Sequence, residues 1–333
     1  MTIKLAINGF GRIGRCVLRA LVEEGRRDVE VVAINDLAPV ATAAHLLAHD
    51  TVHGRFAHPV QADGDRLVVA GREIRFTAER DPAALQWGDV DVALECTGVF
   101  TDRDAAAAHL DNGSDRVLVS APAKGADRTV VFGVNHDSLT KDDRVVSNAS
   151  CTTNCLAPVA MVLHREFGIE TGYMTTVHSY TSDQPTLDAA HRDLYRARAA
   201  AANVIPTSTG AARAVGLVLP DLAGRLDGSA IRVPTPNVSA VDLCVMLRRA
   251  ADVDAVNDAM RAAAGQGPLA GILGLSEAPL VSSDFNHDPR SSVFATDQTR
   301  QTEGGMTRVL SWYDNEWAFS NRMLDVAAAM ART

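Results

Sequence analysis

The stretch "SNASCTTNC", Ser147–Cys155, sets two cysteines four residues apart behind small and polar residues. A thiol in that place fits three chemistries: nucleophilic attack, half of a metal or disulfide pair, or plain packing. A helical pattern begins at Cys151, with Ser150 before it as a plausible cap. A thiol at a helix N-terminus feels the positive end of the dipole, which lowers its pKa. At an unperturbed pKa near 8.5, only about 3% would be thiolate at pH 7, so a neighbouring imidazolium would matter. Of the ten histidines, His178 stands apart, because it ends the apolar run "YMTTV" and opens the polar loop "SYTSDQP". Strand ends that face loops are where sites are usually built. The bland alternative is a strand-end histidine bonded to backbone. Cys155 shares a helix face with Cys151, but no second closely spaced Cys or His pair accompanies them, which argues against zinc. The five cysteines (Cys16, Cys96, Cys151, Cys155, Cys244) are odd in number and scattered. That pattern disfavours a disulfide framework and fits a reducing, cytoplasmic setting.

A second constellation is the glycine spacing of "INGFGRIGR", with Gly9, Gly11 and Gly14 in the order G-x-G-x-x-G. The hexapeptide alone is weak, since glycine is common in turns. Its context is stronger: a strand pattern precedes it, a helix pattern follows, and the next strand ends at Asp36, 22 residues after Gly14. Gly9 then allows a tight turn, Gly11 lets backbone approach a pyrophosphate, and Gly14 permits close helix-to-strand packing. The pyrophosphate sits over backbone N–H groups at the helix start, and Asp36 accepts from ribose hydroxyls. A carboxylate ~4 Å from a 2′-phosphate repels it by roughly 1 kcal/mol per unit charge even in water. Asp36 therefore favours NAD over NADP.

The elements that must carry these groups follow from pattern. "IKLAIN", "VEVVAIND", "VDVALECTG", "RVLVSAP" and "TVVFGVN" are short runs apolar on both faces, separated by helical patterns. They predict an α/β fold with a parallel sheet covered on both sides. From about residue 171, "TGYMTTVHSY", "SAIRVPTPNV" and "SAVDLCVML" predict longer strands in a mostly antiparallel sheet with helices. A boundary is expected near Ser150, giving domains 1–150 and 151–316 and a final helix over 317–333. With 47% hydrophobic and 22% charged residues the chain is globular. No stretch approaches a membrane span, and the amino terminus lacks a secretory pattern. A net charge of -9 disfavours nucleic acid and acidic membrane surfaces as partners.

Taken together, "NGFGRIGR", "AIND", "SNASCTTNC", "TVHSYT", "IPTSTGAA", "RVPTPNVS" and "SWYDNEWAFSNR" resemble phosphorylating glyceraldehyde-3-phosphate dehydrogenases from end to end. The resemblance implies a Rossmann-type doubly wound domain, an α+β catalytic domain, a last helix packing back on the first domain, and a homotetramer. It implies oxidation of D-glyceraldehyde 3-phosphate to 1,3-bisphosphoglycerate with NAD and inorganic phosphate, as in glycolysis and gluconeogenesis. Carried over residue by residue, Cys151 is the nucleophile and His178 its base. Arg12, Ile13, Asp36, Arg80, Ser120 and Asn315 fall at dinucleotide contacts, beside Gly9 and Gly11. Thr181, Arg196 and Arg232 fall on the substrate's phosphate, and Ser150, Thr152, Thr209 and Gly210 around the incoming phosphate. No metal is implied.

One departure concerns the cofactor. Ala189 and Ala190 stand where NAD-restricted relatives carry a Leu-Pro pair, so NAD is expected as the preferred dinucleotide with NADP tolerated. Other readings are oxidation of erythrose 4-phosphate, a cofactor-free Cys-His hydrolase, and an idle scaffold. The first loses the "STGAA" segment that is intact here, the second leaves the glycine turn unexplained, and the third leaves Cys151 and His178 unexplained.

Overall fold

Strands buried on both faces need neighbours on both edges, and six strands of the amino-terminal half meet that need in parallel. The computed structural model describes residues 2–333. β1 (Ile3–Asn8), β2 (Val29–Asn35), β3 (Arg72–Thr77), β4 (Val90–Glu95), β5 (Ser114–Val119) and β6 (Val145–Ser147) lie in the order β6–β5–β4–β1–β2–β3. Every adjacent pair among them is parallel. This is the doubly wound order of a Rossmann sheet, whose strand sequence reverses between β1 and β4 and opens a crevice there. Antiparallel strands Val60–Asp63 and Arg66–Val69 extend the β3 edge.

The turn from β1 into α1 (Arg12–Glu23) has the geometry its glycines anticipate. Gly9 sits at φ 90, and a Cβ there would lie 2.7 Å from the Thr97 nitrogen. A Cβ on Gly14 would sit inside the Gly9 carbonyl, whereas Gly11 faces open space. The sequence pattern fails after β4. Two four-residue helical pieces, Arg103–Ala106 and Ala108–Asp111, lead to β5. Between β5 and β6 the only helical turn among the described residues is the 3-10 turn His136–Ser138. Pro122, Gly125 and Gly133 interrupt that connection, the two glycines at positive φ.

Beyond Ser150 the strands lengthen. α2 (Cys151–Phe167) is followed by β7 (Ile169–Ser179), β8 (Leu226–Val233), β9 (Ser239–Leu247) and β10 (Met306–Tyr313). β7–β9 and β9–β10 pair antiparallel. β7 and β8 pair in parallel, a register that sets His178 opposite Arg232. The inner face of β7 buries Met174, Thr176 and His178, while Tyr173 and Val177 point out. α2 covers the sheet with buried Leu156, Val159 and Leu163.

Two compact units result. One comprises the chain up to Val130, His136–Ser150 and Phe319–Thr333, so most of the last helix, α3 (Trp317–Arg332), belongs to it. The other comprises Val131–Asn135 and Cys151–Ala318. No helix among the described residues is long and apolar enough to cross a membrane.

Candidate active site

Cys151 is the first residue of α2, and His178 lies one residue before the end of β7. The packing of α2 on the sheet brings the Cys151 Sγ to 3.6 Å from His178 Nε2. On its other side the ring is fixed, with Nδ1 at 2.7 Å from the Ser179 carbonyl oxygen. That bond puts the proton on Nδ1 and leaves the Nε2 lone pair facing the thiol. Tyr313, buried at the end of β10, holds the frame: its hydroxyl lies 2.8 Å from Thr152 Oγ1 and 2.9 Å from Thr176 Oγ1. The residue beside the cysteine and the residue two before the histidine thus share one hydroxyl.

The electrostatics correct one expectation. A lowered thiol pKa was anticipated from the helix terminus, yet burial pushes the Cys151 thiol up, with Arg232 and Thr152 pulling back. Burial, and then the Arg232 charge, push His178 down to about 3. Each charge by itself is disfavoured there. A single proton transfer from Sγ to Nε2 creates both charges together, and at about 4 Å their attraction is of order 4 kcal/mol at an effective dielectric near 20.

Three of the residues expected around the substrate's phosphate form a chain. Arg232 Nη1 donates to the Ser179 carbonyl at 2.9 Å and to Thr181 Oγ1 at 3.0 Å. Thr181 in turn donates to Asp183, which accepts from Arg196 Nη1 at 2.8 Å. Two guanidiniums held by carboxylate and hydroxyl partners have the charge and fixed geometry that suit an anion. Thr209 accepts from the Ala211 N–H at 3.2 Å, and Gly210 starts the helix Ala211–Val218. Thr153 in the first turn of α2 donates to the Ala211 carbonyl at 3.5 Å, so this segment lies beside Thr152. Ser150 is half-buried at the end of the preceding unit.

In the amino-terminal unit a cavity is lined by Gly9, Gly11, Asp36, Leu37, Arg80 and Thr97. Its residues fit a dinucleotide. α1 has no acidic residue in its first turn and no side-chain cap at Gly11 among the described residues, so its N-terminus suits a diphosphate. The Asp36 carboxylate is aimed by N–H donors from Phe10 at 2.7 Å and Ala38 at 2.9 Å. Arg12 commits its guanidinium to Asp50, and half-buried Ile13 follows it on α1. Ser120 bonds the Cys96 side chain, and its backbone N–H donates to the Glu95 carbonyl at 2.9 Å. Cys96 lines the cavity just past β4, with its thiol pushed up to about 12 by burial. Asn315 belongs to the other unit, where its Oδ1 accepts from Ser179 Oγ at 2.8 Å and Ser239 Oγ at 2.9 Å.

The pattern reading missed Tyr313, Ser179, Ser239 and the strand-ending asparagines Asn8 and Asn35. A polar residue closing an otherwise apolar strand, twice over in "IN", is the signal that would have found the asparagines.

A glycine-turn Rossmann unit together with a half-buried thiol against a buried imidazole, beside paired guanidiniums, defines a class, the dehydrogenases that oxidise an aldehyde through a cysteine. Residues 3–103 match the family described as glyceraldehyde 3-phosphate dehydrogenase, NAD binding domain, and residues 150–315 match its C-terminal domain. A glyceraldehyde-3-phosphate dehydrogenase of Cereibacter sphaeroides is 66% identical over 332 residues, covering 100% of this chain and 99% of the relative. The proteins of that name from Xanthobacter flavus and Pseudomonas aeruginosa are 64% and 58% identical, over 100% and 99% of this chain and 99% of each relative. The chain belongs to the glyceraldehyde-3-phosphate dehydrogenase family.

Proposed function

We propose that the chain oxidises D-glyceraldehyde 3-phosphate with NAD and inorganic phosphate to 1,3-bisphosphoglycerate, with Cys151 as nucleophile and His178 as base. The observation that carries this reading is the 3.6 Å approach of Sγ to an Nε2 whose opposite nitrogen is tied to the Ser179 carbonyl. The thiolate adds to the aldehyde carbon while the His178 imidazolium returns its proton to the carbonyl oxygen, forming a thiohemiacetal. His178 accepts the hydroxyl proton as the carbon is oxidised, leaving a thioester on Cys151. NAD, when bound, supplies the two-electron acceptor. Phosphate then attacks the thioester carbon, the acyl phosphate departs, and the cysteine returns as thiol. Arg232, Arg196 and Thr181 bind the substrate's phosphate. Thr152, Ser150, Thr209 and Gly210 receive the incoming phosphate through small hydroxyl and backbone donors.

Expected in an assay is NADH formation from glyceraldehyde 3-phosphate that stops when phosphate is withheld. With erythrose 4-phosphate, kcat/KM is expected to be at least about tenfold lower, as is kcat/KM with NADP replacing NAD, roughly one charge repulsion's worth. Phosphate-independent turnover, or an NADP preference, overturns this reading.

The chain works as a cytoplasmic homotetramer in this proposal. Support comes from apolar side chains left exposed on the outer sheet face, Tyr173 and Met306, and on the loop after β7, Leu187, Leu194 and Tyr195. Sedimentation velocity is expected to give four copies, and a monomer at micromolar concentration removes the proposal.

A further inference from the structure

The amino-terminal unit buries a carboxylate that the chemistry above does not use. Glu95 closes β4 at 1% exposure, and His109 lies against it at 0%. Trp87 Nε1 donates to His109 Nδ1 at 3.1 Å, which leaves the ring proton on Nε2, and Nε2 donates to Glu95 Oε2 at 3.0 Å. Asn8 Nδ2 donates to the same oxygen at 2.7 Å. The other oxygen accepts the Thr97 N–H at 2.8 Å and also the Thr97 hydroxyl. Four donors therefore converge on one carboxylate. Apolar groups would fill this space with less desolvation cost, so packing alone is a poor account of it.

Three of the four donors, those of Asn8 and Thr97, belong to the wall of the cavity. Asn8 and Thr97 line it, with Gly9 between them. Thr97 is held so close to Gly9 that its nitrogen stands 2.7 Å from where a Cβ would be. Asn8 Oδ1 accepts from Asn35 Nδ2 at 2.8 Å, and Asn35 grips both the N–H and the carbonyl of Glu79 at 2.8 Å. Asn35 and Glu79 form the other side of the same cavity. The ends of β1, β2 and β4 are thus tied through Glu95 and Asn8.

We propose that Glu95, its geometry locked by His109 and Trp87, is a positioning residue that sets the width of the dinucleotide cavity. A carboxylate offers acceptors only, and so takes all four donors, whereas an amide of the same shape presents one acceptor and one donor group. In Glu95→Gln the new NH2 must face either Thr97 or the Asn8–His109 pair, and that side parts.

The inference rests on NAD being the dinucleotide held here, and its test uses the whole protein. In Glu95→Gln the KM for NAD is expected to rise at least tenfold, while kcat at saturating NAD and the KM for aldehyde stay within twofold. His109→Leu, remote from the cavity lining, is expected to raise the NAD KM several-fold. His109→Gln, whose amide donates to Glu95 as the ring does, is expected to return it to within twofold. That pair decides the matter even if Glu95→Gln fails to fold. Equal behaviour of the Leu and Gln variants, or kcat and aldehyde KM moving in step with the NAD KM, overturns the proposal. Wild-type protein that does not bind NAD in calorimetry overturns both readings. Wild type that binds, with variants that bind equally, overturns this one alone.

Discussion

Replacing Cys151 with serine is expected to lower kcat by a factor of order 10⁴ or more while leaving NAD affinity within about twofold. The loss follows from the nucleophile. A thiol can pass its proton to an imidazole 3.6 Å away because it gives up that proton far more readily than a hydroxyl does. A serine hydroxyl in the same place holds its proton far more tightly and leaves no anion to attack the aldehyde. The preserved affinity follows from where the cofactor's cradle is built. The cavity lining runs from Asn8 to Phe100, all within the other unit, and includes no residue of α2. Mass spectrometry after mixing with substrate and NAD in the absence of phosphate should find an acyl adduct on the Cys151 peptide of wild type and none on the variant. Turnover within tenfold of wild type would remove Cys151 from the chemistry.

Substituting His178 with asparagine is the second large effect. The rate is expected to fall by roughly 10²–10⁴, the usual worth of a positioned general base. A more specific result concerns the thiol. Burial raises the Cys151 pKa, and without the imidazole nothing accepts its proton. In the variant, alkylation by iodoacetamide should rise with pH only above the ordinary thiol value of about 8.5. In wild type the paired transfer moves that rise at least about one unit lower, because each new charge stabilises the other. Coincident profiles would show that the two groups act separately.

The same histidine bears on stability. Its folded pKa of about 3 lies below the unfolded value near 6.5, so the unfolded chain binds the proton more readily between those limits. Stability contributed by His178 is therefore present above about pH 6.5 and is lost as pH falls toward 3.

Much of this was legible in the chain because it is local. Three glycines at fixed spacing dictate the β1–α1 turn, and a cysteine at the start of a helix or a histidine at the end of a strand is visible from a window of a dozen residues. What escaped depends on distance or on burial. Arg232 meets His178 across a ladder joining residues 54 apart, and no local pattern announces that register. Tyr313 reaches Thr152 from 161 residues away. The sign of the thiol's shift could not be read from the helix dipole alone, since desolvation acts the other way and is the larger influence. Helical order was over-read after β4, where the alanine run 105–108 meets Asn112 and Gly113 within a few residues, before a long helix can form.

The parallel pairing of β7 with β8 has a consequence for how this chain tolerates change. Because two strands, and not the segment joining them, bring the imidazole opposite the guanidinium, residues can be added to or trimmed from the excursion near Leu187 without separating that couple. Lineages would be free to remodel the excursion's length while the reaction centre stays put. A transplanted tip should alter what the molecule recognises before it alters how fast the bond is made.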